Sequence, residues 1–379
     1  MNTANRMMLK EIALGGYKSI RPDGERIEFG DITVLLGANG SGKSNLVSFF
    51  RMLNYITSKG LQTFIGKQGS ADALLYYGAK TTDKIEFSIT LEQIVGEERS
   101  STCYKVKLVH GMPDRLFFAE EKVTFRKSGK TRPQEFFIEA GNGEAGLPDD
   151  KKTTSKVLFS ALSGIRAYHF HDTSDTARIK ANGFIDDCRY LRSDAGNLAA
   201  FLRAMKNNPE QQRYYERITR HIRKVMPQFK EFDLETLPGN DKYARLNWHD
   251  NLSEYLFGAH QISDGSLRFM ALTALLLQPP SMLPSVIVLD EPELGLHPAA
   301  ITELAGMIRT ASTHCQVVVA TQSTRLVDEF HASDLVVVER DESKHCSVFK
   351  RLDETALADW LSRYSLSELW EKNVLGGRP

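Results

Sequence analysis

The stretch Gly37-Ala38-Asn39-Gly40-Ser41-Gly42-Lys43-Ser44 decides the fold of this 379-residue chain. It fits the pattern G-x-x-x-x-G-K-[ST], in which a glycine-rich backbone turns successive N–H groups toward one anion. The apolar run 32–36 before it predicts a buried strand, and residues 45–53 after it carry apolar side chains at helical spacing. Because this pattern requires a strand, a loop and a helix in that order, the stretch is predicted to bind phosphate.

The residue types of this loop indicate how it would hold a nucleotide. Lys43 is expected to bridge the β- and γ-phosphates of ATP, and the Ser44 hydroxyl is expected to ligate Mg²⁺. The N-terminus of the following helix adds partial positive charge. The predicted nucleotide-binding residues are Gly37, Asn39, Gly40, Ser41, Gly42, Lys43, Ser44 and Asn45. Taken alone, the loop leaves open a glycine-rich turn that binds nothing.

Composition restricts the class of protein. Apolar residues make up 41% and charged residues 25% of the chain, as in soluble globular proteins. The formal net charge is zero, which gives no overall indication of nucleic-acid or membrane binding. The four cysteines lack the spacing of a metal or redox motif, which favours reduced thiols. With no apolar stretch of signal-peptide or membrane-span length, we expect a cytoplasmic protein without a membrane partner.

A second decisive stretch is Ser285-Val286-Ile287-Val288-Leu289-Asp290-Glu291-Pro292-Glu293. The apolar run predicts a buried parallel strand with two carboxylates at its carboxyl end, the edge at which open α/β sheets bind ligands. Asp290 is expected to hold Mg²⁺, through a water, and Glu291 to act as general base on the attacking water. The alternative is a strand that simply ends in a turn.

Between these stretches the chain predicts several further elements. Strand-like runs between residues 84 and 139, separated by turn residues, predict an antiparallel sheet beside the main one. Residues 64–72 are predicted as a loop, and the polar segment 141–152 as a mobile one. The apolar helix before Pro279 is expected to begin with Ser263 as its N-cap.

Two groups of polar residues leave alternatives open. Lys18 follows a strand and could approach a nucleotide, although a solvated turn lysine is the favoured interpretation. His169, His171 and Asp172 invite a metal site, with the histidines sharing one face of a strand end. No third or fourth ligand is evident in the sequence, which favours a strand end with a capping aspartate.

The predicted helix 214–225 is strongly basic. A solvated helix face is the favoured interpretation, and a contact for DNA or an acidic partner is the alternative. The basic residues concerned are Arg213, Arg217, Arg220, Arg223 and Lys224.

The phosphate loop, the stretch Ser263-Asp264-Gly265-Ser266 and the stretch Asp290-Glu291-Pro292-Glu293, in that order, resemble an ABC-type ATPase. The resemblance is to the RecF/SMC-like class and its small bacterial relatives described as predicted AAA-family ATPases. It implies an α/β P-loop NTPase with a mixed sheet flanked by helices, an antiparallel β subsheet and a helical lobe.

The resemblance also implies roles for individual residues. By this resemblance, residues 37–44 correspond to the Walker A loop and Asp290-Glu291 to the Walker B pair. Ser263, Asp264 and Gly265 become the signature, which in such families contacts the γ-phosphate held by the opposite subunit. Residues 294–297 become the D-loop.

Two expected motifs depart from the family pattern. The position of the switch histidine holds Gln322, which can donate a hydrogen bond to a γ-phosphate but cannot titrate. The Q-loop position contains no glutamine, so His171 or Asp172 is expected to stand in for it, with Gln68 as an alternative.

The expected architecture is one bilobed domain over 1–379, with lobe I at about 1–185 and 275–379 and a helical, signature-bearing lobe II at about 186–274. The expected cofactors are ATP and Mg²⁺, in a homodimer that sandwiches ATP, and a larger oligomer is left open. The expected function is ATP hydrolysis in DNA maintenance, repair or anti-phage defence, with DNA as a partner. The alternative is a regulatory or scaffold ATPase that gates a separate effector protein, such as a nuclease, without acting on DNA.

Overall fold

A computed structural model describes residues 6–96, 98–128, 132–138 and 140–377. The chain divides into two compact units. The first comprises Met1–Arg166, Ser285–Val288 and Val318–Pro379, and the second comprises Ala167–Pro284 and Leu289–Val317.

The described residues form eighteen strands and ten α-helices. The strands are β1 (Met7–Gly15), β2 (Glu25–Glu28), β3 (Ile32–Leu36), β4 (Lys84–Val95), β5 (Glu98–Gly111), β6 (Arg115–Lys127), β7 (Gln134–Ile138), β8 (Ile165–Tyr168), β9 (Gly183–Phe184), β10 (Phe229–Asp233), β11 (Thr236–Leu237), β12 (Asn240–Ala244), β13 (Asn247–Asp250), β14 (Leu256–Gly258), β15 (Val286–Asp290), β16 (Gln316–Thr321), β17 (Leu335–Asp341) and β18 (Cys346–Arg351). The helices are α1 (Lys43–Thr57), α2 (Leu61–Lys67), α3 (Thr153–Ser163), α4 (Leu198–Asn207), α5 (Gln212–Val225), α6 (Asp264–Leu277), α7 (Pro298–Ser312), α8 (Thr324–Val327), α9 (Ala358–Leu361) and α10 (Leu366–Glu371).

A six-stranded mixed sheet carries the glycine-rich loop at the end of β3. Its strand order is β18-β17-β3-β16-β15-β8, in which β17 pairs parallel with β3 and antiparallel with β18. Four of the five residues of β3 are buried, as expected of a strand inside such a sheet. The predicted α/β class and mixed sheet are therefore confirmed.

The first unit also contains the predicted antiparallel sheet. Its six strands have the order β2-β1-β4-β5-β6-β7, and every pair of neighbours is antiparallel. Burial alternates along β4, so one face of the sheet packs on the core. Glu139, the last residue of the predicted strand-like runs, lies outside the described residues.

The predicted helix after the loop is confirmed and longer than predicted. α1 runs to Thr57 and buries its apolar face completely at Leu46, Phe49 and Leu53. The Phe49 ring meets that of Tyr17 edge to face, with centroids 6.0 Å apart. The Phe49 ring also meets that of Phe87 in β4 edge to face, with centroids 5.1 Å apart, so α1 packs against the antiparallel sheet.

One prediction for the first unit, the loop at 64–72, is wrong. Residues 64–67 belong to α2, because Leu61, Phe64 and Ile65 form an apolar face at helical spacing. The segment 141–152 is tied to the rest of the unit: the buried Glu121 carboxylate accepts hydrogen bonds from the Gly146 and Leu147 amides, at 2.8 and 3.0 Å. A buried acceptor with several donors anchors the segment at this point, and the mobility of 141–152 stays a prediction.

The second unit consists of helices and two small sheets. α6 packs against α4, α5 and α7, and its residues from Phe269 to Leu277 are all buried. The sheets are three-stranded, with the orders β10-β13-β14 and β11-β12-β9. Over the part of the chain that the structure describes, no helix combines the length and the apolar character needed to cross a membrane.

Candidate functional site

The glycine-rich loop can follow its path only with glycine at two positions. Gly42 has φ +115°, and a Cβ there would lie 2.1 Å from Ser347 Oγ. At Gly37 a Cβ would lie 2.2 Å from the backbone oxygen of Val338. At Gly40, by contrast, a Cβ would meet no atom within 4 Å. The loop therefore packs closely on β17 and β18 through its ends, and its middle borders open space.

Lys43 is buried inside this loop, with 4% of its surface exposed. Its ammonium donates to the backbone oxygens of Gly37 and Ala38, at 2.7 and 2.9 Å. Ser41 Oγ is buried and has no hydrogen-bond partner among the described residues. A buried cation and a spare hydroxyl beside open space suit a phosphate group. Asn39 and Ser44 are exposed, and the Asn45 amide donates to Ser19 Oγ at 2.6 Å.

Lys18 is not the solvated turn lysine that the sequence favours. Its backbone has φ +49°, and its ammonium donates to Ser48 Oγ at 2.8 Å and to Gln68 Oε1 at 3.1 Å. Burial, with a smaller contribution from Arg51, lowers the pKa of Lys18. The side chain lines a pocket next to the loop, together with Ser19, Asn45, Ala73, Tyr77 and Arg340. No sequence signal reveals this, because a positive φ at a lysine has no local pattern.

The second unit holds the two predicted acids. β15 ends at Asp290, whose side chain is 10% exposed, and Glu291 follows with φ +40°. A non-glycine residue in the left-handed region is strained, and such residues concentrate at functional sites. The turn after it is fixed by the Leu294 amide on the Glu291 oxygen and the Leu296 amide on the Glu293 oxygen. Glu291 therefore sits at a defined, strained point just beyond the strand.

Two histidines flank Asp290. His171 Nε2 donates to the Asp290 backbone oxygen at 2.8 Å, and His169 Nδ1 lies 3.8 Å from its Oδ2. The two rings are 4.0 Å apart. Both lie beyond β8 rather than on it, and Asp172 caps the following turn by accepting from Ser174. Within the described ranges, no three His, Cys, Asp or Glu side chains are grouped as metal ligands.

The predicted signature lies at the first turn of α6. Ser263 is the N-cap and accepts from the Ser266 amide, which confirms the predicted cap. Ser263 and Asp264 are exposed to solvent. At Gly265 a Cβ would lie 2.2 Å from the Gly295 oxygen, so the helix start rests directly on the backbone of the predicted D-loop.

Arg268 joins three segments of the second unit, and the sequence gives it no role. Its guanidinium donates to the Phe170 and His171 oxygens at 3.1 and 2.9 Å, and to the Leu294 oxygen at 2.8 Å. The planar fork of arginine suits several acceptors at once. This residue therefore links the signature helix both to the segment that flanks Asp290 and to the predicted D-loop. Its place near the start of the helix that Ser263 caps is the one feature of the sequence that could have indicated a role for Arg268.

The remaining predicted residues are in the first unit. Gln322 follows β16 and is half-buried. Gln68 follows α2, and its side-chain oxygen accepts from Lys18. The structure thus groups Gln68 with Lys18, whereas it groups His171 with Asp290.

The basic side chains of α5 mostly bind within the protein. Arg217 donates to the Leu277 oxygen at 3.0 Å, Arg223 donates to the Lys230 oxygen, and Lys224 pairs with Glu303 at 3.1 Å. The Arg213 guanidinium stacks over the ring of Tyr214. Arg213, Arg220, Arg223 and Lys224 are nevertheless exposed and Arg217 is half-buried, so the favoured interpretation of a solvated face agrees with the structure at four of the five basic positions. Among the described residues, Arg220 has no partner.

Comparison with known proteins agrees with this geometry. Residues 162–328 match the model of the family AAA_21, whose description reads "AAA domain, putative AbiEii toxin, Type IV TA system". No curated protein matches the chain.

The solved structures similar to this chain include Smc head domains. One, an Smc head bound to the C-winged helix domain of ScpA, has a TM-score of 0.58 at 17% identity, covering 92% of this chain and 99% of that one. A second, from Pyrococcus furiosus and bound to the C-terminal domain of ScpA, has a TM-score of 0.57 at 16% identity, covering 94% and 99%. A third, from Pyrococcus yayanosii, has a TM-score of 0.56 at 12% identity, covering 94% and 99%.

These similarities confirm the RecF/SMC-like, ABC-type fold that the three motifs indicate. The family model covers less than half of the chain, and the solved structures show that its fold is similar to that of Smc head domains.

Proposed function

We propose that this protein binds ATP with Mg²⁺ and hydrolyses it. The observation that carries the proposal is the loop at 37–44, which holds the buried Lys43 ammonium and the unpartnered Ser41 hydroxyl and is open to solvent at Gly40. Backbone N–H groups, a helix N-terminus and a lysine together form a site for the β- and γ-phosphates. Lys18 belongs to the same site, because its ammonium lines the adjoining pocket.

The proposal gives each polar residue one task. Ser44 and Asp290 are assigned as Mg²⁺ ligands, Asp290 through a water, and oxygen donors of this kind suit that ion. Bound Mg²⁺ would neutralise charge on the phosphates during the transfer. Glu291 accepts a proton from the attacking water, and its strained backbone holds the carboxylate in one direction. Gln322 donates a hydrogen bond to the γ-phosphate, and His171 takes the Q-loop position.

Hydrolysis is proposed to occur in a dimer of this chain. Ser263 and Asp264 are exposed at a helix start, where a phosphate of a second copy can approach backbone N–H groups. In this arrangement each ATP lies between the Walker A loop of one copy and the signature of the other, and hydrolysis opens the pair.

The test is steady-state ATP hydrolysis by the purified protein and by Glu291→Gln. Glutamine keeps the shape of the side chain but cannot accept the proton, so we expect kcat to fall at least about 100-fold while ATP still binds. Glu342→Gln, at an exposed turn, is the matched control and should hydrolyse ATP at the wild-type rate. A Glu291→Gln enzyme with normal turnover would disprove the role of Glu291, and a wild-type protein that binds no ATP would disprove the function.

What the ATP cycle controls has two candidate answers. In the first, the protein binds DNA and acts in DNA maintenance or anti-phage defence. In the second, it controls the activity of a separate effector protein. The contacts of α5 favour the second, because Arg217, Arg223 and Lys224 already bind within the protein. The solved Smc heads bound to domains of ScpA are a precedent for a protein partner on this fold.

The two answers are separated by measuring ATP hydrolysis with and without duplex DNA at two stated salt concentrations. Stimulation by DNA that disappears in Arg220→Glu would support the DNA function and would contradict effector gating without DNA. Hydrolysis that does not respond to DNA would support a protein effector.

A further inference from the structure

The segment after α10 has a defined path in the first unit. The Asn373 amide donates to the Trp370 oxygen and the Val374 amide to the Leu369 oxygen, while Asn373 takes the left-handed conformation with φ +57°. Leu375 is then buried, with 5% of its surface exposed. A helix that ends in this way turns the following residues back sharply, here toward β17.

The next two residues are glycines that both have positive φ, +81° at Gly376 and +75° at Gly377. The Gly377 amide donates to Glu339 Oε2 of β17 at 3.1 Å. Its backbone oxygen accepts from the Ala38 amide at 3.0 Å, inside the phosphate loop. A Cβ at Gly377 would lie 2.6 Å from Val337 Cγ1, so only glycine fits between β17 and the loop.

This contact lies on the peptide group that also holds Lys43, because the Ala38 N–H and the Gly37 carbonyl belong to the same peptide. The Gly37 and Ala38 oxygens accept from the Lys43 ammonium, and Ala38 is also the residue whose amide is bound by Gly377. The direction of the Ala38 peptide therefore depends on Gly377, and the resting position of the Lys43 ammonium depends on that peptide.

We propose that Gly376 and Gly377 form a latch that positions the phosphate loop, so that ATP affinity depends on them. The inference rests on the proposed function, and it adds a positioning role for a segment more than 330 positions away in sequence. The latch residues touch the loop backbone and are not catalytic residues. A role limited to general packing would affect stability without acting selectively on the loop.

The test is Gly377→Ala, which introduces the Cβ that β17 excludes and an unfavourable φ for alanine. We expect the Kd for ATP to rise about tenfold, equivalent to about 1.4 kcal/mol. We also expect faster amide hydrogen exchange in the peptides that cover 34–43, in protein without nucleotide. Gly66→Ala is the matched control: a Cβ at this exposed position of α2 meets nothing within 4 Å, so affinity and exchange should match wild type.

Glu339→Ala provides a second variant in case Gly377→Ala fails to fold. It removes the carboxylate that accepts from the Gly377 amide without adding an atom, and we expect the same changes in smaller measure. Wild-type Kd and wild-type exchange at 34–43 in whichever variant folds would overturn the latch. Faster exchange over the whole chain together with the loop would also overturn it, because that is the result of general destabilisation. A wild-type protein that binds no ATP would disprove the proposed function. The hydrogen-exchange measurement would still test the contact between Gly377 and Ala38, because it uses protein without nucleotide.

Discussion

Lys18 shows how a single side chain acquires a role from its surroundings. Its positive φ directs the side chain toward Ser48 and Gln68, and burial disfavours its charged form. A nearby anion would offset that cost, because an opposite charge stabilises the ammonium. A triphosphate in the neighbouring pocket is the anion that the proposed function supplies.

Lys18→Ala is therefore expected to weaken ATP binding. Losing one charge-assisted contact costs about 1.5–3 kcal/mol, which corresponds to a rise in Kd of roughly 10- to 150-fold. Isothermal titration calorimetry with ATP measures it, and Lys80→Ala, at an exposed position of the same unit, is the control. Equal affinities of Lys18→Ala and Lys80→Ala for ATP would show that Lys18 does not contribute to the ATP site.

Glu291 illustrates strain at the same scale. Its left-handed backbone costs on the order of 1–3 kcal/mol and is retained because the turn around Leu294 and Leu296 fixes it. We interpret this strain as the means by which the carboxylate is held beyond the end of β15.

At the scale of elements, α6 transmits the position of the signature to the rest of the second unit. Its start rests on Gly295, and Arg268 binds the oxygens of Phe170, His171 and Leu294. Because His171 in turn binds the Asp290 oxygen, the signature helix and the acidic strand end share one hydrogen-bond network. Movement of α6 would therefore change the position of Asp290 through this network.

Arg268→Lys tests this network. Lysine keeps the charge but cannot present a planar fork to three carbonyl groups. We expect a loss of about 1–3 kcal/mol in the free energy of unfolding, measured by urea denaturation, together with a lower kcat. Arg220→Lys changes the same residue type at a position with no partner among the described residues; it should change the free energy of unfolding by no more than about 0.5 kcal/mol and leave kcat at the wild-type value. An unchanged free energy of unfolding in Arg268→Lys would show that the hydrogen bonds of Arg268 do not stabilise the second unit.

At the scale of the whole molecule, the proposed sandwich makes association depend on nucleotide. Glu291→Gln with ATP is expected to accumulate as a dimer, because binding is retained and hydrolysis is slow. Adding Ser263→Arg, which places a bulky cation at the exposed helix start, should return the protein to monomer. Sedimentation velocity with and without ATP measures both. A dimer that forms equally well without ATP, or with Arg at position 263, would contradict the sandwich.

The sequence by itself determined the fold class and the residues of the three motifs on which the candidate site is based. Gly37–Ser44, the strand ending at Asp290-Glu291 and the N-cap Ser263 are local patterns, because a strand, a glycine turn or a cap is specified by neighbouring residues. The antiparallel sheet followed from alternation along its strands for the same reason. The loop predicted at 64–72 failed although the helical spacing from Leu61 was present in the sequence.

Only the tertiary structure decided how distant residues meet. The burial of Lys18, the internal contacts of α5, the network of Arg268 and the contact of Gly377 with Ala38 join segments that are far apart in the chain. Hydrogen bonds between such segments depend on backbone directions that no local residue pattern encodes. Composition indicated that polar side chains were available, and packing determined which of them bind within the protein and which stay exposed.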